Sequence, residues 1–163
     1  MPTTFHSSLG LQLSINDIVH EIIRFMKADS KRAYKVIIGS DSEQLSHNDA
    51  DFVTAIVVHR VGNGGRYFWR RVEGVEAGKF YTLRDRIIKE VMLSLDVARE
   101  VLTELKKNAG SLEWDFEIHA DVGEKGATNV LIQEVVGMIR ANNFEARTKP
   151  DSYAASKVAD RHV

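Results

Sequence analysis

The chain has 163 residues, 44% of them hydrophobic and 28% charged, with a formal net charge of −1. That suits one soluble domain with its own core and excludes a global electrostatic pull onto nucleic acid, so any such contact must come from a local patch. Cysteine is missing from the sequence, which excludes disulfides, cysteine-ligated zinc, iron–sulfur clusters and a thiol nucleophile.

The first residues, Met1-Pro2-Thr3-Thr4-Phe5-His6, lack the basic and apolar regions of a signal peptide. No apolar run approaches the ~20 residues that span a bilayer, so a cytoplasmic protein with no membrane partner is expected. From Ser14 to Lys27, Ile15, Ile18, Val19, Ile22, Ile23 and Met26 recur at helical spacing. Ser14 and Asp17 stand where a capping box would start that helix. Residues 1–30 are read as an N-terminal extension carrying this helix, and residues 31–163 as the main domain.

Lys35 to Ser40 is a short β-branched run and predicts a buried first strand. A polar stretch follows, then a second strand from Phe52 to Arg60. Gly62-Asn63-Gly64-Gly65 predicts a hairpin. The return strand, Arg66 to Val72, interleaves Arg66, Arg70 and Arg71 with Tyr67, Phe68 and Trp69. Such a pattern serves as a nucleic-acid platform in some proteins. A period of two favours a simpler expectation, an aromatic core face and a solvated basic face.

Thr82 caps a long helix expected to run to about Lys107, with Leu83, Ile87, Val91, Ala98, Leu102 and Leu105 on its apolar stripe. Trp114 to Ala120 alternates and predicts a fourth strand. A helix from about Ala127 to Asn142, a short fifth strand from Phe144 to Thr148, and a last helix from Ser152 complete the chain. The fold class is therefore α/β, a mixed five-stranded sheet flanked by helices, with an extra N-terminal helix. Strands one to three are antiparallel, and strands one, four and five run parallel through right-handed crossovers.

Four carboxylates take suggestive places in this order. Asp41 ends the first strand and Asp121 ends the fourth, so parallel neighbours bring both to one carboxyl edge, where open α/β sheets place their sites. Glu90 lies on the rim of the long helix's buried stripe, roughly 60° from Ile87 and 20° from Leu83. Asp160 lies in the last helix and competes with Asp151, which also fits an N-cap of that helix. Each residue has a plainer reading. Asp41 and Asp121 suit turns after strands, Glu90 a partly exposed helix position, and Asp160 a surface salt bridge. Lys125, Lys149, Lys157 and Arg161 fall near the same edge, where they would suit phosphate contacts or simply solvent. His119 is read as a strand residue near the site, not a ligand.

Carboxylates converging at one edge repel one another unless a divalent cation neutralises them, and hard oxygen ligands suit Mg²⁺ or Mn²⁺. Two such ions, about 3.5–4 Å apart, activate a water and stabilise the leaving oxygen of a phosphodiester. No histidine or cysteine nucleophile is then needed.

The element order, with Asp41 on the first strand, Glu90 on the long helix, Asp121 after the fourth strand and Asp160 in the last helix, resembles the ribonuclease H superfamily. Ile38-Gly39-Ser40-Asp41-Ser42, His119-Ala120-Asp121-Val122-Gly123 and Ala154-Ala155-Ser156-Lys157-Val158-Ala159-Asp160-Arg161 are similar to the motifs of its YkuK-like bacterial members, over residues 31–163. The resemblance implies a sheet ordered third-second-first-fourth-fifth. It implies a two-metal nuclease acting on RNA or DNA, with Asp41 bridging two Mg²⁺ or Mn²⁺ ions, Glu90 and Asp121 completing one site, and Asp160 helping bind the second. No separate hybrid-binding domain or basic handle is seen. The alternative is a catalytically silent ribonuclease H-like module that binds nucleic acid or protein.

Overall fold

The computed structural model describes residues 4–163. The strands are β1 (Phe5–Ser7), β2 (Gln12–Leu13), β3 (Tyr34–Gln44), β4 (Ala50–Arg60), β5 (Gly65–Val72), β6 (Asp115–His119) and β7 (Glu145–Arg147). The helices are α1 (Ile15–Ala28), α2 (Gly74–Ala77), α3 (Leu83–Asn108) and α4 (Ile132–Ala141). The seven strands form one sheet in the order β2-β1-β5-β4-β3-β6-β7.

The five expected strands are β5, β4, β3, β6 and β7, and they lie in the expected order. The hairpin partners β3, β4 and β5 are antiparallel, while β6 and β7 add in parallel. The count differs from expectation: the described residues form seven strands, not five. The additional pair, β1 and β2, extends the sheet beyond β5 through His6↔Trp69 and Ser7↔Phe68. Strands of two and three residues are too short to display a period, which is why the sequence pattern misses them.

The capping box forms as read: the Asp17 N–H donates to Ser14 Oγ at 3.1 Å, and the Ser14 N–H donates to Asp17 Oδ2 at 3.0 Å. Accepting from Ser14 holds the Asp17 carboxyl below its usual range. The buried face of α1, comprising Ile18, Val19, Ile22, Ile23 and Met26, packs in one continuous core with Val36, Ile38, Ile56, Val58 and Ile118 of the sheet. Buried residues of α3 and α4, among them Val91, Val101, Leu105, Val135 and Ile139, belong to that core too. All three long helices thus pack against one face of the sheet.

The other face is covered by the C-terminal segment. The segment is not the ordinary α-helix expected from Ser152. Residues Ala154–Ala159 form a π-helical turn, continued by a 3₁₀ turn over Asp160–His162. Single π turns of this kind are often found at functional sites. The segment approaches β3 closely because residue 39 is glycine. A Cβ there would lie 2.6 Å from the Ala155 backbone nitrogen and 3.0 Å from Ala154 Cβ.

The strand rich in arginine and aromatics departs from expectation in the same way. On β5, Phe68 and Arg70 are buried on the helix-covered face, and the Arg70 guanidinium lies 4.9 Å from the Phe5 ring centroid. Tyr67, Trp69 and Arg71 face the C-terminal segment instead. Trp69 stacks on His162 at 4.3 Å and 9°. Aromatic and basic residues are shared between the two faces, because the run Arg66-Tyr67-Phe68-Trp69-Arg70-Arg71 does not keep the two classes in alternate register.

Candidate carboxylate site at the sheet's carboxyl edge

Asp41 lies inside β3, opposite Val53 of β4, and not at the strand's end as expected. The strand runs on to Gln44 because β4 pairs with it through the polar stretch as far as Gln44↔Ala50. The parallel pairing of β3 with β6 ends at Gly39↔His119. Asp41 and Asp121 both follow two residues later, so they stand level at the edge. Beyond β6 the chain stays in register with its neighbour: the Ala120 N–H donates to Arg147 O at 2.9 Å, and the Lys149 N–H to Val122 O at 2.8 Å.

Glu90 comes from the helix-covered side. It is 4% exposed, deeper than the rim position expected. Two helical turns of α3 are drawn onto the sheet by polar contacts. Ser94 Oγ lies 2.7 Å from Ser40 Oγ, which is itself 2.8 Å from Thr54 Oγ1. One turn earlier, the Ser42 hydroxyl donates to Glu90 Oε2 at 2.5 Å. The Ser42 N–H donates to Asp41 Oδ1 at 2.9 Å, so Ser42 links two carboxylates. Asp160 comes from the opposite side, at the start of the 3₁₀ turn.

These groups sense one another. Burial pushes the Asp41 carboxyl up to about 8, helped by hydrogen bonding with Asp160 and by the charge of Asp121; the bond from the Ser42 N–H opposes this. Burial likewise raises Glu90 well above the usual carboxylate range, with Asp41 and Asp121 adding to the rise and Ser42 and Arg86 opposing it. Asp41 and Glu90 each feel the negative charge of Asp121, so burial and like charge together disfavour their ionised forms.

Of the two competing aspartates, Asp160 is the one brought to Asp41. Asp151 stands exposed in the preceding turn, its N–H donating to Thr148 O at 2.8 Å. It does not cap the last helix: the residue at the N-cap is Tyr153. Among the four basic residues expected near this edge, Lys149 reaches the cluster, with Nζ 3.0 Å from Asp121 Oδ1. His119 is buried and neutral. Its Nδ1 accepts the Ala154 N–H at 3.2 Å, Nε2 faces Glu117 Oε1 at 3.1 Å, and burial lowers its affinity for a second proton. It therefore fastens the C-terminal segment to β6.

Arg86 was not singled out from the sequence. It lies one turn before Glu90 on α3, donates to Ser42 O at 3.3 Å, and holds its Nε buried with no hydrogen-bond partner among the described residues. The spacing of four from Glu90 is a signal that would have found it. Ser42, adjacent to Asp41, and Gly39, two residues before it, are the other contributors that only the packing reveals.

The donor set suits a hard divalent cation, being all carboxylate oxygens. Asp121 Oδ1 is buried, and among the described residues its one close cationic neighbour is the Lys149 ammonium at 3.0 Å, a place that a metal cation would compete for. Among the described residues, no group of three or more His, Asp or Glu side chains is arranged to hold a metal ion as it stands. Ser42 engages oxygens of Asp41 and Glu90, and Lys149 stands at Asp121. The chemistry fits a cation, and the oxygens are at present held by internal donors.

A family model described as "Ribonuclease H-like" matches residues 17–163. The chain is 30% identical to the uncharacterized protein YkuK of Bacillus subtilis (strain 168), over 96% of this chain and 95% of that protein. No solved structure gives a significant match. Among the described residues, no helix is long and apolar enough to cross a membrane.

Proposed function

We infer that this chain, which belongs to the YkuK-like group of the ribonuclease H-like family, is a divalent-metal-dependent phosphodiester hydrolase acting on RNA or DNA. The observation that carries this reading is the meeting of four carboxylates from separate elements. Asp41 of β3, Glu90 of α3, Asp121 after β6 and Asp160 of the C-terminal turn lie at one edge: Asp121 and Asp160 bear on the Asp41 carboxyl, and Asp41 and Asp121 on that of Glu90. Gathering carboxyl groups in a buried place costs stability, and such a cost is retained where a ligand relieves it.

In this reading Asp41, Glu90 and Asp121 would hold one ion, and Asp41 and Asp160 a second. Two Mg²⁺ or Mn²⁺ ions would supply positive charge at the attacking and leaving oxygens of the phosphodiester. The chain's own contributions are distinct. Ser42 fixes the rotamers of Asp41 and Glu90 through its N–H and hydroxyl. Arg86, held at the Ser42 carbonyl, supplies a positive charge that opposes the rise of the Glu90 carboxyl.

The test is cleavage of end-labelled single-stranded RNA, single-stranded DNA and an RNA–DNA hybrid in Mn²⁺ or Mg²⁺, by the wild type and by Asp41→Asn. Circular dichroism of both checks folding. Cleavage by the wild type that falls to background in the variant is the expected result. Equal cleavage by both would refute the carboxylate assignment, and no cleavage of any substrate would favour a silent binding module on the same scaffold.

A further inference from the structure

Lys149 is a built part of the site for which the proposed hydrolysis has no use. Its backbone is fixed by the hydrogen bond to Val122 O. Its stem lies across Gly123, where a Cβ would come within 2.8 Å of Lys149 Cβ and 3.4 Å of its Cδ. Glycine at 123 therefore leaves the groove in which the lysine stem rests. The ammonium ends 3.0 Å from Asp121 Oδ1, a buried oxygen that takes no hydrogen bond from other described groups. Nearly half of the lysine side chain remains open to solvent, so its end has room to leave.

We propose that Lys149 is a tethered counter-ion that occupies the place of a divalent cation at Asp121, and that a phosphodiester drawing the ammonium away opens Asp121 to the metal. The proposal rests on the carboxylate–metal reading given above. An ammonium and a divalent cation on one carboxylate oxygen repel strongly at this distance. The four-carbon stem is flexible and its head is a compact point charge, so moving it requires only rotamer changes beyond the part pinned over Gly123. A substrate phosphate offers the ammonium an alternative anion. Metal and phosphodiester then bind with positive coupling, and the coupling is reciprocal by linkage.

The experiment is a calorimetric Mn²⁺ titration at low ionic strength of the wild type, Lys149→Met, Lys149→Arg and Asp41→Asn, with thermal melts as a folding control. Lys149→Met should bind Mn²⁺ ~5–10-fold more tightly than the wild type, and Lys149→Arg, which keeps the charge, should stay near the wild type. Dimethyl phosphate, an inert phosphodiester, should tighten Mn²⁺ binding to the wild type and leave Lys149→Met unchanged. Equal Mn²⁺ affinity in wild type and Lys149→Met, with binding lost in Asp41→Asn, would overturn the counter-ion role while keeping the metal site. An equal response of both proteins to dimethyl phosphate would overturn the coupling. No Mn²⁺ binding by any variant, Lys149→Met included, would overturn the metal reading and this proposal together.

Discussion

The two faces of the sheet are built by different means. On one face, Val36, Ile38, Ile56 and Ile118 meet three helices in a continuous apolar core. On the other, Ile37, Val57, Val53 and Ala55 meet Ala154 and Ala159 in two short clusters, with Tyr153, Val158 and Val163 of the same segment only partly buried against them. The thin layer is secured by specific polar and aromatic contacts instead: Tyr153 with His59, Ala154 with His119, and His162 with Tyr67, Trp69 and Arg71. Nondirectional burial holds the first face, and directional contacts hold the second. The carboxylates gather where the faces meet, Glu90 from the thick side and Asp160 from the thin one. The fold's stability and the site's assembly should therefore be separable.

The largest expected effect tests the thick face. Ile38→Ala removes a fully buried side chain of the main core and should cost about 2–5 kcal/mol, as large-to-small core changes do. Chemical denaturation would measure it. A loss below about 1 kcal/mol would show that the helices do not depend on this face as described.

Gly39→Ala tests the thin face. The added methyl would meet the backbone of Ala155 at 2.6 Å, and backbone cannot give way as a flexible side-chain end can. The segment must lift, at a cost of about 1–3 kcal/mol, and carry Asp160 away from Asp41. The expected outcome is a smaller loss of stability than in Ile38→Ala, with Mn²⁺ binding weakened out of proportion. If Mn²⁺ binding survives unchanged, Asp160 is not held in place by this contact.

How much of this was legible beforehand follows the same division. The thick face was readable because α1, β3 and β4 carry long apolar patterns; the directions of the five main strands followed from the hairpin and the helical crossovers, and their order from the resemblance to the ribonuclease H superfamily. Glu90 was placed near the buried stripe from helix geometry, although its full burial depends on Ser42, Ser40 and Ser94, whose pairing no local pattern encodes. The thin face was poorly readable. Its segment is alanine-rich, its turn is π-helical, and its docking depends on a glycine two residues before Asp41 and on a tryptophan that a platform reading would leave exposed. Lys149 lay in view as one basic residue of four. Its selection depends on Gly123 and on the parallel register of β6 and β7, both long-range facts.

The smallest expected effect sharpens the comparison furthest. His162→Ala removes the ring stacked on Trp69 and the contact of its Nε2 with the Tyr67 hydroxyl at 3.1 Å, but keeps the backbone carbonyl that accepts from Arg71 at 2.8 Å. An aromatic pair contributes about 0.5–1.5 kcal/mol beyond its buried area, so global stability should fall by about 1 kcal/mol, well short of the core variant. The chain has two tryptophans. In a Trp114→Phe background, emission reports Trp69 alone, and the loss of its stacking partner should shift it toward that of a solvated indole. If the thin layer is held by the sum of such contacts, Mn²⁺ affinity should fall modestly in step with the emission change, because Asp160 lies two residues before His162. An emission change with no change in Mn²⁺ affinity would place the hold on Asp160 upstream, at Gly39 and His119, and would divide the segment into an anchoring half and a dispensable end.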